Sequence, residues 1–375
     1  MTDLSLSLLS PYYPRADRGS VEDGFVGGVE VAQDCLSRAL ASLGVDVTVY
    51  STATEAGEEV IEGVRHVRVK RWGTLFRTPM SGLPFKLPLE SDILQVPGTY
   101  PLWSDVPIAR ARRRGVPTVL DYHFDAHPTS VPMAAAVKTY YPTLGRLARR
   151  ADLVFVKSLD YARASVGLHG IPEARIRELP NGVDVSRFEG DFLPGNHVLC
   201  VGRLIPYKGV DVLLRAMKEV QERLDAPVWI AGTGPLREDL ERFADTLKVD
   251  AKFLGFVPDA ALPHLYGSAR LTALPSRNSQ EAFGICLLES MAAGTPVVAP
   301  DLPGVRGVAS EGGVVFGEAG DEHALAEAIV RILKGDTPVP RGTALRERIA
   351  AKYSWHAIAK RALAEYERLL EEGPA

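Results

Sequence analysis

Apolar and polar residues follow one another in blocks of two kinds along this chain. Short apolar, β-branched runs predict buried strands: Val45 to Tyr50, Val116 to Leu120, Leu153 to Lys157, His197 to Val201, Val228 to Gly232, Phe253 to Phe256, Leu271 to Leu274 and Pro296 to Ala299. Between them lie stretches with apolar residues at helical spacing. Val29, Ala32, Leu36, Ala39, Leu40 and Leu43 form one, Val212, Leu213, Ala216, Met217 and Val220 a second, and Ile285, Leu288, Met291 and Ala292 a third. Gly44 and Gly294 close the first and third. Strand and helix in turn predict an α/β fold with parallel sheets.

The alternation breaks once. Leu179-Pro-Asn-Gly-Val-Asp184 reads as a turn, and the strand-helix pattern restarts at His197. The expected division is a first domain over 1–187, a second over 188–355, and a last helix over 356–375 carrying Ile358, Ala362, Tyr366 and Leu369 on one face. A length of 375 residues with 46% hydrophobic content supports two full cores.

Charge narrows the partners. A net charge of −4 argues against general nucleic-acid binding. From Met1 to Gly190 there are 22 basic and 22 acidic residues, so the acidic excess lies in the second half. The cysteines Cys35, Cys200 and Cys286 are widely spaced among apolar residues and read as buried free thiols of a reducing compartment. The N-terminal run has an acid at Asp3 and reads as a first strand, and no apolar run is long enough to span a bilayer. The expectation is a cytoplasmic protein that meets a membrane only from the inner face.

From Gly63 to Leu89 stand Arg65, Arg68, Lys70, Arg71, Arg77 and Lys86 with no acid, interleaved with Trp72, Leu75, Phe76, Met80, Leu83 and Phe85. Two readings stay open, a peripheral lipid-facing surface or a solvated strand and loop. Arg110 to Arg114 and Lys138 to Arg150 add further basic clusters.

The densest chemistry lies in Pro275 to Ala299, where Glu281 and Glu289 flank a helix start. At about 100° per residue they do not share a helix face, so Glu281 belongs to the preceding loop and Glu289 to the helix. The N–H groups of Phe283, Gly284 and Ile285 at that start suit a phosphate. Arg203 and Lys208, at the end of a strand, suit a diphosphate, the first as a bidentate donor and the second as a point charge. Gly27-Gly28 opens the first helix, where a doubly wound sheet takes anionic ligands, although the spacing is not the G-x-G-x-x-G of a dehydrogenase. His123 lies at the end of the Val116 strand, with Asp121, Asp125 and His127 around it in no fixed metal-ligand spacing.

Pro275, Ser276, Glu281, Phe283, Gly284, Glu289, Met291, Ala292, Gly294, Pro296, Val297 and Val298 fill every fixed position of a known string. On it, and on Gly202-Arg203-Leu204 with Lys208-Gly209, the chain resembles the retaining Glu-x7-Glu glycosyltransferases of family 4, group 1. The resemblance implies a GT-B fold of two doubly wound Rossmann-like domains facing across a cleft, with the last helix crossing back onto the first. It implies transfer of a hexosyl group from a nucleotide-diphosphate sugar to an acceptor hydroxyl of a glycan, glycolipid or small molecule, with retention and without a cofactor or metal. In that family Gly28 approaches the donor phosphates and acceptor, His123 the sugar near its anomeric carbon, and backbone near Phe256 and Val257 the base. Glu281 would hold the sugar hydroxyls and Glu289 the ribose. The competing readings are epimerisation by the same fold and a non-catalytic sugar-nucleotide-binding subunit.

Overall fold

The computed structural model describes residues 4–13, 28–75, 78–98, 100, 102–125, 131–140, 146, 149–190, 192–193 and 195–373. The chain forms two units, one from Met1–Gly182 with Trp355–Ala375, the other from Val183–Ser354. The division comes earlier than residue 187, because the 3-10 turn Val185–Phe188 buries Phe188 in the second unit's core beside Tyr266. Gly182 packs on Trp355 so closely that a Cβ there would stand 2.5 Å from the indole ring.

In the first unit the strands are β1 (Ser5–Tyr12), β2 (Asp46–Ala53), β3 (Gly57–Ile61), β4 (Val64–Lys70), β5 (Gly73–Leu75), β6 (Thr78–Met80), β7 (Ile93–Pro97), β8 (Thr118–Tyr122), β9 (Leu153–Val156) and β10 (Ile176–Glu178). Eight of them form one sheet in the order β10-β9-β8-β7-β1-β2-β4-β3, parallel except where β3 turns back on β4. The hairpin of β5 and β6 stands apart from it. Helices α1 (Gly28–Ser42), α2 (Leu83–Lys86), α3 (Asp105–Arg112), α4 (Val131–Tyr140) and α5 (Leu159–Ala164) connect the strands. Leu36 and Leu40 of α1 meet Leu6, Leu8, Val47, Val49 and Phe155 of the sheet in one core.

In the second unit β11 (Val198–Val201), β12 (Val228–Ala231), β13 (Ala251–Gly255), β14 (Leu271–Ala273), β15 (Val297–Ala299) and β16 (Gly313–Val315) make a parallel sheet in the order β13-β12-β11-β14-β15-β16. Its helices are α6 (Val210–Gln221), α7 (Arg237–Leu247), α8 (Leu262–Gly267), α9 (Ile285–Ala292), α10 (Val305–Ala309), α11 (Glu322–Lys334) and α12 (Gly342–Tyr353). Strand alternation splits the core into two layers. Val198, Cys200 and Val298 point to the face of α6, α7 and α11, while Leu199, Val297 and Ala299 point to that of α8, α9, α10 and α12. The last helix, α13 (Trp355–Glu372), joins the first unit, laying Ile358, Ala362, Tyr366 and Leu369 into the core with α1.

Among the elements that the sequence reading lacked are β3, β7, β10, α3, α8 and α12. Helix α12 buries only Leu345, Ile349 and Tyr353, a stripe too narrow to stand out from its charged neighbours. All three cysteines are free, but only Cys200 is buried; Cys35 and Cys286 are half-buried, which corrects the expectation for those two. Among the described residues no helix is long and apolar enough to cross a membrane.

The entry to β11 is where the second unit is expected to weaken in acid. The His197 ring stacks on Trp229 at 3.8 Å, and its Nε2 is buried without a hydrogen-bond partner. Burial lowers its pKa from 6.5 to about 4. The folded value lies below the unfolded one, so the neutral ring's stabilisation is present above pH 6.5 and is lost as pH falls toward 4. A His197→Phe variant keeps the stack and removes the proton site. Denaturant titrations between those pH values are expected to show a slope shallower than wild type by up to about 1.4 kcal/mol per pH unit.

Candidate functional site

In the second unit two loops at the C-terminal ends of neighbouring strands are locked together. Beyond β11 the chain passes Gly202, Arg203 and Leu204 into a 3-10 turn, Pro206–Lys208, ended by Gly209 at φ +66. Gly209 approaches the loop after β14 so closely that a Cβ would lie 2.1 Å from the Pro275 carbonyl oxygen. The Arg277 N–H donates to the Tyr207 carbonyl at 2.8 Å. Only glycine meets both demands, a left-handed backbone and an adjoining carbonyl.

The result is an ion pair. Lys208 Nζ donates to Glu281 Oε2 at 2.6 Å, and the Ser276 hydroxyl donates to the same oxygen at 3.0 Å. Both charged side chains are largely out of solvent. Burial would lower the Lys208 ammonium, but the Glu281 carboxylate carries it above its ordinary value. Burial also pushes the Cys200 thiol up to about 12 and raises Cys286, so both nearby thiols stay protonated.

Glu281 lies in the loop and Glu289 inside α9. Gly284, at φ +81, caps that helix, and among the described residues the N–H groups of Phe283, Gly284 and Ile285 make no backbone hydrogen bond. Glu289 accepts from the Tyr266 hydroxyl at 2.9 Å. Burial, reinforced by Glu289, raises Tyr266 well above its ordinary value, so it remains a donor. Arg203 is exposed and forms no ion pair with another described residue. Phe256, just past β13, is 75% exposed, and Val257 is half-buried.

In the first unit His123 follows β8 and is nearly buried, with its Nε2 3.1 Å from Asp121 Oδ2. Asp121 also accepts from Lys157 Nζ at 2.7 Å and from Gln95 Nε2 at 3.4 Å, and Gln95 in turn accepts from the Tyr366 hydroxyl of α13. Burial alone would raise Asp121, but His123 and Lys157 hold it well below the usual carboxylate range. Burial lowers His123, against the pull of Asp121, so the imidazole is neutral near pH 7. An ionised Asp121 accepts from Nε2–H, which leaves Nδ1 an acceptor with no protein partner among the described residues.

Lys157 and Gln95 were not anticipated as site residues. Lys157 could have been, as the lone cation at the end of the apolar run Leu-Val-Phe-Val. Asp125 has a local task, accepting from the Ser165 hydroxyl at 2.6 Å and from the Val166 and Gly167 N–H groups at 3.2 and 3.1 Å. Gly28 is the exposed first residue of α1, while Gly27 and His127 lie outside the described residues. Among the described residues no group of His, Cys, Asp or Glu is arranged to hold a metal.

Two parallel-sheet α/β units define the class. Two family models match, Glycosyltransferase Family 4 over residues 26–187 and Glycosyl transferases group 1 over residues 195–335. The D-inositol 3-phosphate glycosyltransferase of Acidothermus cellulolyticus is 30% identical over 400 residues, 93% of this chain and 87% of that protein. The phosphatidyl-myo-inositol mannosyltransferase of Mycobacterium leprae is 38% identical over 205 residues, and here the alignment takes in 52% of this chain and 54% of that protein, so the chain spans about half the length of such relatives. Sucrose-phosphate synthase from Thermosynechococcus elongatus shares the fold, with a TM-score of 0.73 at 23% identity over 99% of this chain and 100% of that one. The fold is GT-B, and the chain belongs to glycosyltransferase family 4, group 1.

The two-loop lock makes Gly209 a sensitive position. Gly209→Ala is expected to destabilise the second unit by about 2 kcal/mol or more, from the left-handed backbone and the Pro275 clash together. Chemical denaturation monitored by Trp229 fluorescence measures it; a loss under about 0.5 kcal/mol would show the loops to be independent.

Proposed function

We propose that this protein is a retaining glycosyltransferase that moves a hexosyl group from a nucleotide-diphosphate sugar to an acceptor hydroxyl. The observation that carries the reading is the Lys208–Glu281 pair beside the open N-terminus of α9 and the exposed Arg203, which forms no ion pair among the described residues. As the glycosidic bond breaks, negative charge grows on the departing diphosphate. Lys208 is already neutralised by Glu281, so Arg203 and the N–H groups of Phe283 to Ile285 supply most of the net positive field. A phosphate oxygen then takes the acceptor's proton on the same face of the sugar, and no protein base or metal is assigned a step.

Glu281, held by Lys208 and Ser276, would present its second oxygen to sugar hydroxyls, Glu289 would take the ribose, and backbone at Phe256 and Val257 the base. His123 is assigned to the sugar through its neutral Nδ1, which accepts a hydroxyl hydrogen, and Gly28 to the approach of phosphate or acceptor at the start of α1. The relatives named above act, by their names, on phosphatidyl-myo-inositol and on D-inositol 3-phosphate. This supports an inositol ring carrying a phosphate as the acceptor class, lipid-linked or free.

Purified protein incubated with UDP-, GDP- and ADP-sugars, with inositol phosphate or phosphatidylinositol, is expected to release one nucleotide and to yield a glycosylated inositol with the donor's anomeric configuration. Arg203→Ala should lower turnover about a hundredfold. Turnover within a factor of about two of wild type would remove Arg203 from the mechanism. Added EDTA is expected to leave the rate unchanged; a rate lost with EDTA and restored by a divalent cation would overturn the metal-free assignment. Product with inverted configuration would overturn the same-face reaction.

A further inference from the structure

The hairpin of β5 and β6, with α2 behind it, carries a surface that glycosyl transfer does not account for. Trp72 is 75% exposed, Leu75 56%, Phe85 55% and Met80 39%. Other large apolar side chains exposed among the described residues, such as Val60, Val166, Leu193 and Leu370, are separated from one another along the chain. The register places Gly73 opposite Met80 and Leu75 opposite Thr78, so Leu75 and Met80 share one face of the ribbon. Its other side is anchored, because Pro79 is buried and its carbonyl accepts from Trp103 Nε1 at 3.0 Å.

The Trp72 indole lies over Gly82 beside the Lys86 stem: a Cβ on Gly82 would be 3.6 Å from the indole and 4.0 Å from Lys86 Cδ. Phe85 and Lys86 are the exposed pair of α2, whose Leu83 and Pro84 are buried. Lys70 is exposed at the start of this region, and Arg110 of α3 donates to the Pro84 carbonyl, tying that helix to α2. Arg65 and Arg68 are spent on Glu58 and Glu59 of β3, and no acid stands between Gly63 and Leu89.

A two-stranded ribbon is marginal in water by itself, and exposing Leu75 and Met80 on it, with Trp72 before it and Phe85 after it, needs a reason. A soluble protein partner would be met by apolar side chains framed by both signs of charge. Here every charged residue of the 63–89 segment is basic, and an aromatic ring stands beside a lysine stem, the pairing that seats indole and ammonium at a headgroup boundary. We infer that the β5–β6 hairpin and α2 dock this protein onto an anionic lipid bilayer, Trp72, Leu75, Met80 and Phe85 entering the interface while Lys70 and Lys86 meet headgroups. The inference goes beyond the transfer reaction and does not depend on it.

The test uses the full chain without donor or acceptor. Vesicles of phosphatidylcholine with phosphatidylglycerol are expected to co-sediment the protein at low salt and to release it as salt rises, while phosphatidylcholine alone binds it weakly. Trp103 is buried and Trp229 and Trp355 are half-buried, so quenching by acyl-brominated lipid reports mainly Trp72. Trp72→Phe should lose the quenching and keep the binding. Trp72→Ser with Phe85→Ser should cut partitioning by about tenfold or more, and Lys70→Glu with Lys86→Glu should erase the preference for anionic lipid. No binding at low salt, or binding untouched by both double variants, overturns the inference. So does a dimer in light scattering that Trp72→Ser with Phe85→Ser dissociates in the absence of vesicle binding, since that patch would be covered by a second copy.

Discussion

A lysine held against a glutamate in a nearly dry loop junction governs the second unit's candidate site. Removing two charges from water costs several kcal/mol per ion, and the attraction between them offsets this only when the geometry is good. Lys208 and Glu281 meet at 2.6 Å with a Ser276 hydroxyl on the same oxygen, and a glycine at 209 lets the two loops come close enough for it. The pair then cancels its own charge. The junction therefore carries little net charge of its own, and the groups beside it that are not neutralised in this way are the helix start and the exposed Arg203. Charge balance thus separates two residues of the same sign: the lysine is tied into the loop junction, and the arginine has no ion-pair partner among the described residues.

The first unit uses the same device for a different end. Asp121 and Lys157 form a buried pair, and the carboxylate's spare oxygen holds His123 by its Nε2. With the negative charge already shared, the imidazole gains too little from protonation to overcome its burial and stays neutral. Gln95 and Tyr366 extend the chain of hydrogen bonds to α13, so the last helix supports the orientation of a ring far from it in sequence.

Much of this was legible in the sequence, and the rest was hidden for physical reasons. Strands buried on both faces read as continuous apolar runs, which is why β8, β9, β11, β12, β14 and β15 stand out. Strand β7 carries Gln95 and ends in Pro97, and β3 alternates half-exposed with exposed residues, so neither shows such a run. The glutamate spacing separated Glu281 in the loop from Glu289 in the helix, because helical periodicity is a property of one segment. It could not reveal that Lys208 closes on Glu281, since that contact joins loops far apart in the chain and depends on a backbone approach at Gly209. Lys157 escaped for the same reason: its partner Asp121 is on another strand.

The first unit is discontinuous, with residues 183–354 lying between its two segments. During synthesis the second unit's chain is complete before α13 has been made. Until then α1 lacks the helix that packs against it, Phe155 lacks the Tyr366 ring, and Gln95 lacks the Tyr366 hydroxyl. A nascent first unit therefore presents an apolar groove for as long as the ribosome needs to finish the second, a window in which chaperone capture and self-association compete with native docking. Order of emergence from the ribosome thus exposes a surface that the finished fold keeps covered.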